Sequence, residues 1–113
     1  MGNQANHQKH VNPLSLTRNE ATILELLVTT PKELFGLEMV DASAGELKRG
    51  TIYVILQRML EKGLIDSKQE PRTPPEVGIP RRLYWVTGSG ERVFRAYAAA
   101  RSVLASDLVT MPG

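Results

Sequence analysis

Cysteine is absent from the 113 residues. That excludes disulfides, thiolate zinc sites and thiol nucleophiles. Histidine is confined to His7 and His10, three apart, with no acidic or sulfur partner near them in sequence. A metal site needs a fuller donor set, so none is expected. No run of about 18 apolar residues occurs, which excludes a membrane-spanning helix. The opening decapeptide, MGNQANHQKH, lacks the apolar stretch of a signal peptide. The expectation is a cytoplasmic protein with no membrane partner. The chain also has no Gly-rich phosphate loop of standard spacing, no nucleophile elbow and no paired carboxylates. It is therefore not read as an enzyme, and no cofactor is expected.

What is present is enough for about one domain. The net charge of +2 is unevenly spread. Residues 1–46 carry three cations and six anions, whereas residues 47–86 carry eight cations and four anions. One basic face is the usual electrostatic footprint of a nucleic-acid partner.

Residues 1–15 are polar, without periodicity, and predict a flexible N-terminal tail. Thr17 and Glu20 form a capping-box pattern ahead of an apolar run. Ile23, Leu24, Leu27 and Val28 then recur at helical spacing, predicting a helix over 18–29 that Pro31 stops. Residues 34–44 predict a shorter helix, with Leu37 and Val40 inward, Glu38 and Asp41 outward, and Gly45 after its end. The clearest period follows. Ile52, Ile55, Leu56, Met59 and Leu60 make one stripe at spacings of 3, 4, 3 and 4. Gly63 closes that helix, and its other side carries Val54, Gln57, Arg58 and Glu61, with Tyr53 on the boundary. Residues 64–70 and 81–87 read as two strands. Between them lies PRTPPEVGIP, with four of the seven prolines. Proline cannot donate to a ladder, so this stretch is a long hairpin loop. Thr87 or Ser89 can cap a last helix to about residue 108. Its apolar residues cover well over half the wheel, more than one core can use.

Three helices, a β-hairpin and a further helix make a mainly α chain with a winged helix-turn-helix architecture. The expected layout is a winged-helix domain over 16–88, with a two-stranded wing, and a long C-terminal helix over 89–110. The start of the third helix poses a problem that this architecture resolves. Lys48 and Arg49 stand where a helix N-terminus carries a partial positive charge of about +0.5, which makes cations unfavourable. Phosphates of DNA would reverse that sign, because helix amides bind phosphate and added cations strengthen the attraction.

The stretches RGTIYVILQRMLEKGLI and IPRRLYWVTGSGERVF resemble the PadR family of bacterial transcriptional regulators. The shared pattern is Gly50, Thr51, Ile52 and Tyr53 at the start of the third helix. It continues with Gly63, Leu64 and Ile65, then Arg81 to Tyr84, then Thr87 with Gly90. The resemblance covers residues 16–95 and is to short members with a single C-terminal helix. It implies a homodimeric repressor of an operator in double-stranded DNA, with the last helix building the dimer. Some members bind aromatic or cationic small molecules near the dimer interface and release DNA, so the resemblance also implies a small aromatic effector. Family members often have a small hydroxyl residue at the place of Lys48 and a proline at that of Arg49.

On this reading Val54, Gln57 and Thr51 face base edges in the major groove. Lys48, Arg49, Tyr53 and Arg58 meet phosphates. Lys68, Arg72, Arg81 and Arg82 make the wing basic, placing it on the backbone or minor groove. Adjacent strand residues point to opposite faces, so one of Arg81 and Arg82 reaches DNA while the other packs along the sheet. Phe94, Tyr97, Ala98, Arg101, Leu104 and Leu108 are the dimerisation set. Trp85, the sole tryptophan, is expected in the core or at the seam with the last helix; a ligand site would draw on Trp85 and Tyr97. Two other uses of the same fold stand beside the repressor: a protein–protein adaptor and a small-molecule sensor, neither with sequence-specific DNA binding.

Overall fold

The computed structural model describes residues 11–71 and 81–110, with side chains to residue 105. A short 3-10 turn at Pro13–Ser15 leads into α1, Arg18–Thr29. Its capping box forms as the sequence predicts. The Glu20 amide donates to the Thr17 hydroxyl at 3.0 Å, and the Thr17 amide donates to Glu20 Oε1 at 3.0 Å.

The next segment differs from expectation. Leu34–Phe35 is a strand, β1, and the second helix, α2, is only Gly36–Ala42. The later start moves the inward face. Met39 is fully buried, while Leu37 is 40% exposed rather than inward. The left-handed turn after α2 begins at Ala44, with φ 53°, and Gly45 continues it.

Helix α3 is Ile52–Glu61. Ile52, Leu56 and Met59 of its stripe are buried. It ends in a Schellman motif: the Gly63 amide donates to the Leu60 carbonyl, and the Leu64 amide to that of Met59, each at 3.0 Å. Gly63 supplies the left-handed residue, with φ 75°.

Strands β2, Ile65–Gln69, and β3, Arg82–Val86, form the expected wing hairpin. β1 adds a third strand, giving an antiparallel sheet of order β1-β3-β2. Leu34 pairs with Tyr84, and Ser67 pairs with Tyr84 from the other side. That register decides which aromatic goes inside. Tyr84, not Trp85, enters the core, at 4% exposure. Trp85 is half-buried on the other face, opposite Asp66.

The core gathers Ile23 and Leu24 of α1, Met39, Leu47, the α3 stripe, Leu64, Ile65 and Tyr84. Each such aliphatic side chain contributes about 1.5–3 kcal/mol on burial. The last helix, α4, is Gly88–Thr110. Thr87 starts it: its hydroxyl accepts from the Gly90 amide and donates to the Gly63 carbonyl at 2.7 Å. A Cβ at Gly90 would lie 2.0 Å from the Leu64 carbonyl oxygen. The Thr87–Gly90 spacing thus lets α4 begin directly against the turn that ends α3. Val93, Phe94 and Tyr97 pack on the core, whereas residues 101–105 are all exposed.

Candidate nucleic-acid interface

Lys48 to Thr51 form a turn in which the Lys48 carbonyl accepts from the Thr51 and Ile52 amides, at 3.2 and 3.0 Å. Thr51 occupies the N-cap position, but its side chain caps nothing, and no acidic residue lies in the first turn. The Tyr53 and Val54 amides have no acceptor among the described residues. Lys48, Arg49, Gly50 and Thr51 are all exposed. Glu46, the nearest acid in sequence, is engaged by Arg18 at 3.2 Å. Among the described residues, no carboxylate pairs with Lys48, Arg49 or Arg58.

The outward face of α3 continues this surface. Tyr53 and Val54 are 51% and 54% exposed, and Gln57 and Arg58 are exposed beside them. Gln57 reaches along the helix to Glu61 at 3.4 Å. Val54, Thr51 and Arg58 line a groove of about 390 Å³ that extends to Thr17 and Asn19 at the start of α1. An apolar side chain held in water on an otherwise polar face, flanked by an amide and a guanidinium, has the donors and methyls that base edges read.

The wing cations are placed differently. Lys68 pairs with Glu33 at 3.8 Å. Arg81 pairs with Glu70 at 3.1 Å and stacks over the Phe35 ring at 4.2 Å. Arg82 donates twice to the Ser67 hydroxyl, at 3.2 and 3.1 Å. The expected division, one arginine outward and one along the sheet, is replaced by two exposed arginines that both hold intramolecular partners. Arg72 lies outside the described residues, as do the side chain of Leu108 and the two histidines.

The dimerisation set is divided. Phe94 and Tyr97 are partly buried on the chain's own core, while Ala98, Arg101 and Leu104 are exposed, Leu104 at 59%. Arg101 donates to the Tyr97 hydroxyl at 3.2 Å. Phe94, Tyr97 and Arg101 line a groove of about 440 Å³ against α1, and Trp85 is not among its walls.

Sequence reasoning missed a group beside α3. A Cβ at Gly36 would lie 2.8 Å from the Tyr53 ring, so glycine there lets the ring lie across the start of α2. The only sequence signal is the glycine between Phe35 and Leu37. Among the described residues no helix is long and apolar enough to cross a membrane.

The family model described as "Transcriptional regulator PadR-like family" matches residues 23–96. No curated protein sequence matches the chain. Among solved structures the chain is similar to a PadR-like transcription factor from Bacteroides fragilis. Identity is 22% over 83% of this chain and 89% of that one, with a TM-score of 0.69. A PadR family transcription regulator from Clostridium difficile R20291 is 24% identical over 82% of this chain and 97% of that one, with a TM-score of 0.64. Bacillus subtilis PadR in complex with operator DNA is 21% identical over 72% of this chain, with a TM-score of 0.61; the match spans 46% of that longer chain. These likenesses are of fold.

Proposed function

The chain belongs to the PadR-like family of transcriptional regulators, and we propose that it acts as a homodimeric repressor binding a specific operator in double-stranded DNA. In this reading α3 lies in the major groove, and the wing follows the backbone or minor groove. Residues 16–88 form the DNA-binding unit, and α4 pairs two copies. Two-fold symmetry then sets two half-sites about one helical turn apart.

One observation carries the reading. Among the described residues, the tip of α3 combines two cations without a carboxylate partner, two amides without an acceptor and no acid in its first turn, with Lys48 to Thr51 all exposed. Such a tip is unfavourable for an isolated helix and favourable once phosphates dock. Lys48, Arg49, Tyr53 and Arg58 supply phosphate contacts, while Thr51, Val54 and Gln57 meet base edges. The wing cations already have intramolecular partners, so Lys68, Arg81 and Arg82 add less than the α3 tip. A solved relative in this fold holds operator DNA. The exposed stretch of α4 over residues 101–105, with Val103 and Leu104 each 59% exposed, supports pairing through that helix.

Selection of bound sequences from random duplexes, together with the solution mass of the complex, tests the proposal. A repressor enriches a two-fold symmetric sequence bound by two chains. Uniform recovery of all sequences, or a single chain per duplex, would contradict it.

A further inference from the structure

A glycine inside a helix needs a reason, because alanine is the more stable residue there. Gly36 is the first residue of α2, and among the described residues positive φ is confined to Ala44, Gly45 and Gly63. Backbone conformation therefore does not require glycine at position 36. Space does. A Cβ there would lie 2.8, 3.0 and 3.1 Å from Tyr53 Cε1, Cζ and Oη, the nearest atoms it would meet. Non-bonded carbons settle at about 3.5–4.0 Å. Gly36 is buried, with the Tyr53 ring lying against it.

The first turn of α3 sends its side chains to two flanks. Val54 joins Thr51 and Arg58 in the groove that runs to the start of α1. Tyr53 goes the other way, and its ring joins Phe35, Gly36, Leu37 and Arg82 around a hollow between α2 and β3. Tyr84 lines the same hollow. Burial pushes its hydroxyl above the ordinary pKa; the Arg82 charge opposes that rise, and the Tyr53 phenol adds to it. The Tyr53 phenol thus sits on the α2 side of α3, away from the groove that holds Val54, and half of the residue is open to water.

A half-exposed tyrosine on a bare helix surface samples several rotamers, and ordering it on binding costs free energy. Seated against the α2 backbone, this ring is ordered beforehand. Hydrogen bonds weaken steeply with poor distance and angle, so the seat decides where the hydroxyl can be used.

We propose that Gly36 is a positioning residue for DNA binding: by leaving room for the Tyr53 ring at the start of α2, it aims the Tyr53 hydroxyl at a backbone phosphate on that flank of α3. The role rests on the DNA reading above, in which Tyr53 meets a phosphate. A side chain at position 36 moves the hydroxyl. The atoms in its way are the far end of a flexible side chain, so the ring gives and the backbone does not. Substitution at Gly36 therefore lowers DNA affinity and spares the fold.

Two measurements test the role. The first needs no DNA. In the full chain labelled with 13C and 15N, nuclear Overhauser contacts join the Gly36 α protons to the Tyr53 ring protons; their absence would overturn the geometry. The second is a double-mutant cycle on affinity for a selected duplex, with the parent, Gly36→Ala, Tyr53→Phe and the pair. Gly36→Ala should weaken binding about fivefold, the scale of one hydrogen bond, and should cost nothing further once the hydroxyl is gone. Its melting midpoint should equal or exceed that of the parent, as for alanine replacing glycine at a compatible backbone position. Full affinity in Gly36→Ala, or losses that multiply in the pair, would overturn the positioning role while the parent still binds DNA. A lowered midpoint that Gly36→Ala/Tyr53→Ala fails to restore would show that Gly36 serves α2 itself, and would overturn it too. A parent that binds no duplex would sink the DNA reading first, and this role with it.

Discussion

At its C-terminal end α3 follows the electrostatic rules of an isolated helix; at its N-terminal end it breaks them. Lys62, just past the last turn, sits where a cation favours the helix dipole, and it reaches the buried Glu20 carboxylate at 2.6 Å. Glu20 in turn caps α1, so one carboxylate ties two helices together. Gly63 and Leu64 then satisfy the last carbonyls. At the other end Lys48 and Arg49 oppose the dipole and, among the described residues, find no carboxylate and leave amides open. The wing resembles the C-terminal end more than the tip, since Lys68 and Arg81 are matched by Glu33 and Glu70. Cations that serve the fold are paired within it. On the proposed reading, cations that the fold leaves opposed to a dipole meet an anion from outside.

Substitutions can break or sharpen this contrast. The largest effect is expected at the structural end. Glu20→Ala removes a cap and a buried charge partner. It should lower stability by about 2–3 kcal/mol, less than for a wholly buried pair because Lys62 retains some solvent. Thermal unfolding by circular dichroism would read that loss, with duplex affinity of the folded protein unchanged. Next comes the tip. Lys48→Gln with Arg49→Gln should weaken duplex binding by about 10–100-fold at moderate salt. The same pair should raise stability by roughly 1 kcal/mol, since two unfavourable dipole contacts vanish. A stability loss there would show that the tip serves the fold. Tyr53→Phe, which deletes one hydroxyl, should cost about fivefold in duplex affinity by anisotropy, with the melting midpoint unmoved. The smallest change is at the wing. Lys68→Gln breaks an exposed pair and should alter stability by less than about 0.5 kcal/mol, with a comparable effect on binding. If it cost as much affinity as the tip, the contrast would fail.

Much of this arrangement is readable from local sequence. The limits of α1 and its capping box follow from Thr17, Glu20 and Pro31, because capping is a matter of three or four neighbouring residues. The α3 stripe and its Gly63 ending are likewise local. Three features depend on distant partners and were not readable. β1 is two residues long and has no period of its own; it exists because Leu34 and Phe35 pair with Tyr84 and Leu83. That strand delays α2 by two residues and exchanges Leu37 for Met39 in the core. The choice between Tyr84 and Trp85 is one of strand parity, set by a sheet that closes on both sides of β3. The pairings that quiet the wing, and the one that holds Lys62, join residues 11 to 42 positions apart. Among the proposed DNA contacts, the unusual charge at positions 48 and 49 was visible, because the dipole rule is local. The approach of Gly36 to the Tyr53 ring was not, because it needs α2 and α3 in place.

The most direct measurement is the salt dependence of duplex binding for three proteins: the parent, Lys48→Gln/Arg49→Gln, and Lys68→Gln. Each phosphate neutralised contributes about 0.9 to the slope of log affinity against log salt. With the tip as the phosphate site, the double substitution makes the slope shallower by about 1.8, and the wing substitution leaves it close to the parent. Equal slopes for the parent and the tip variant, or a larger change from Lys68→Gln, would contradict the assignment of DNA binding to the start of α3.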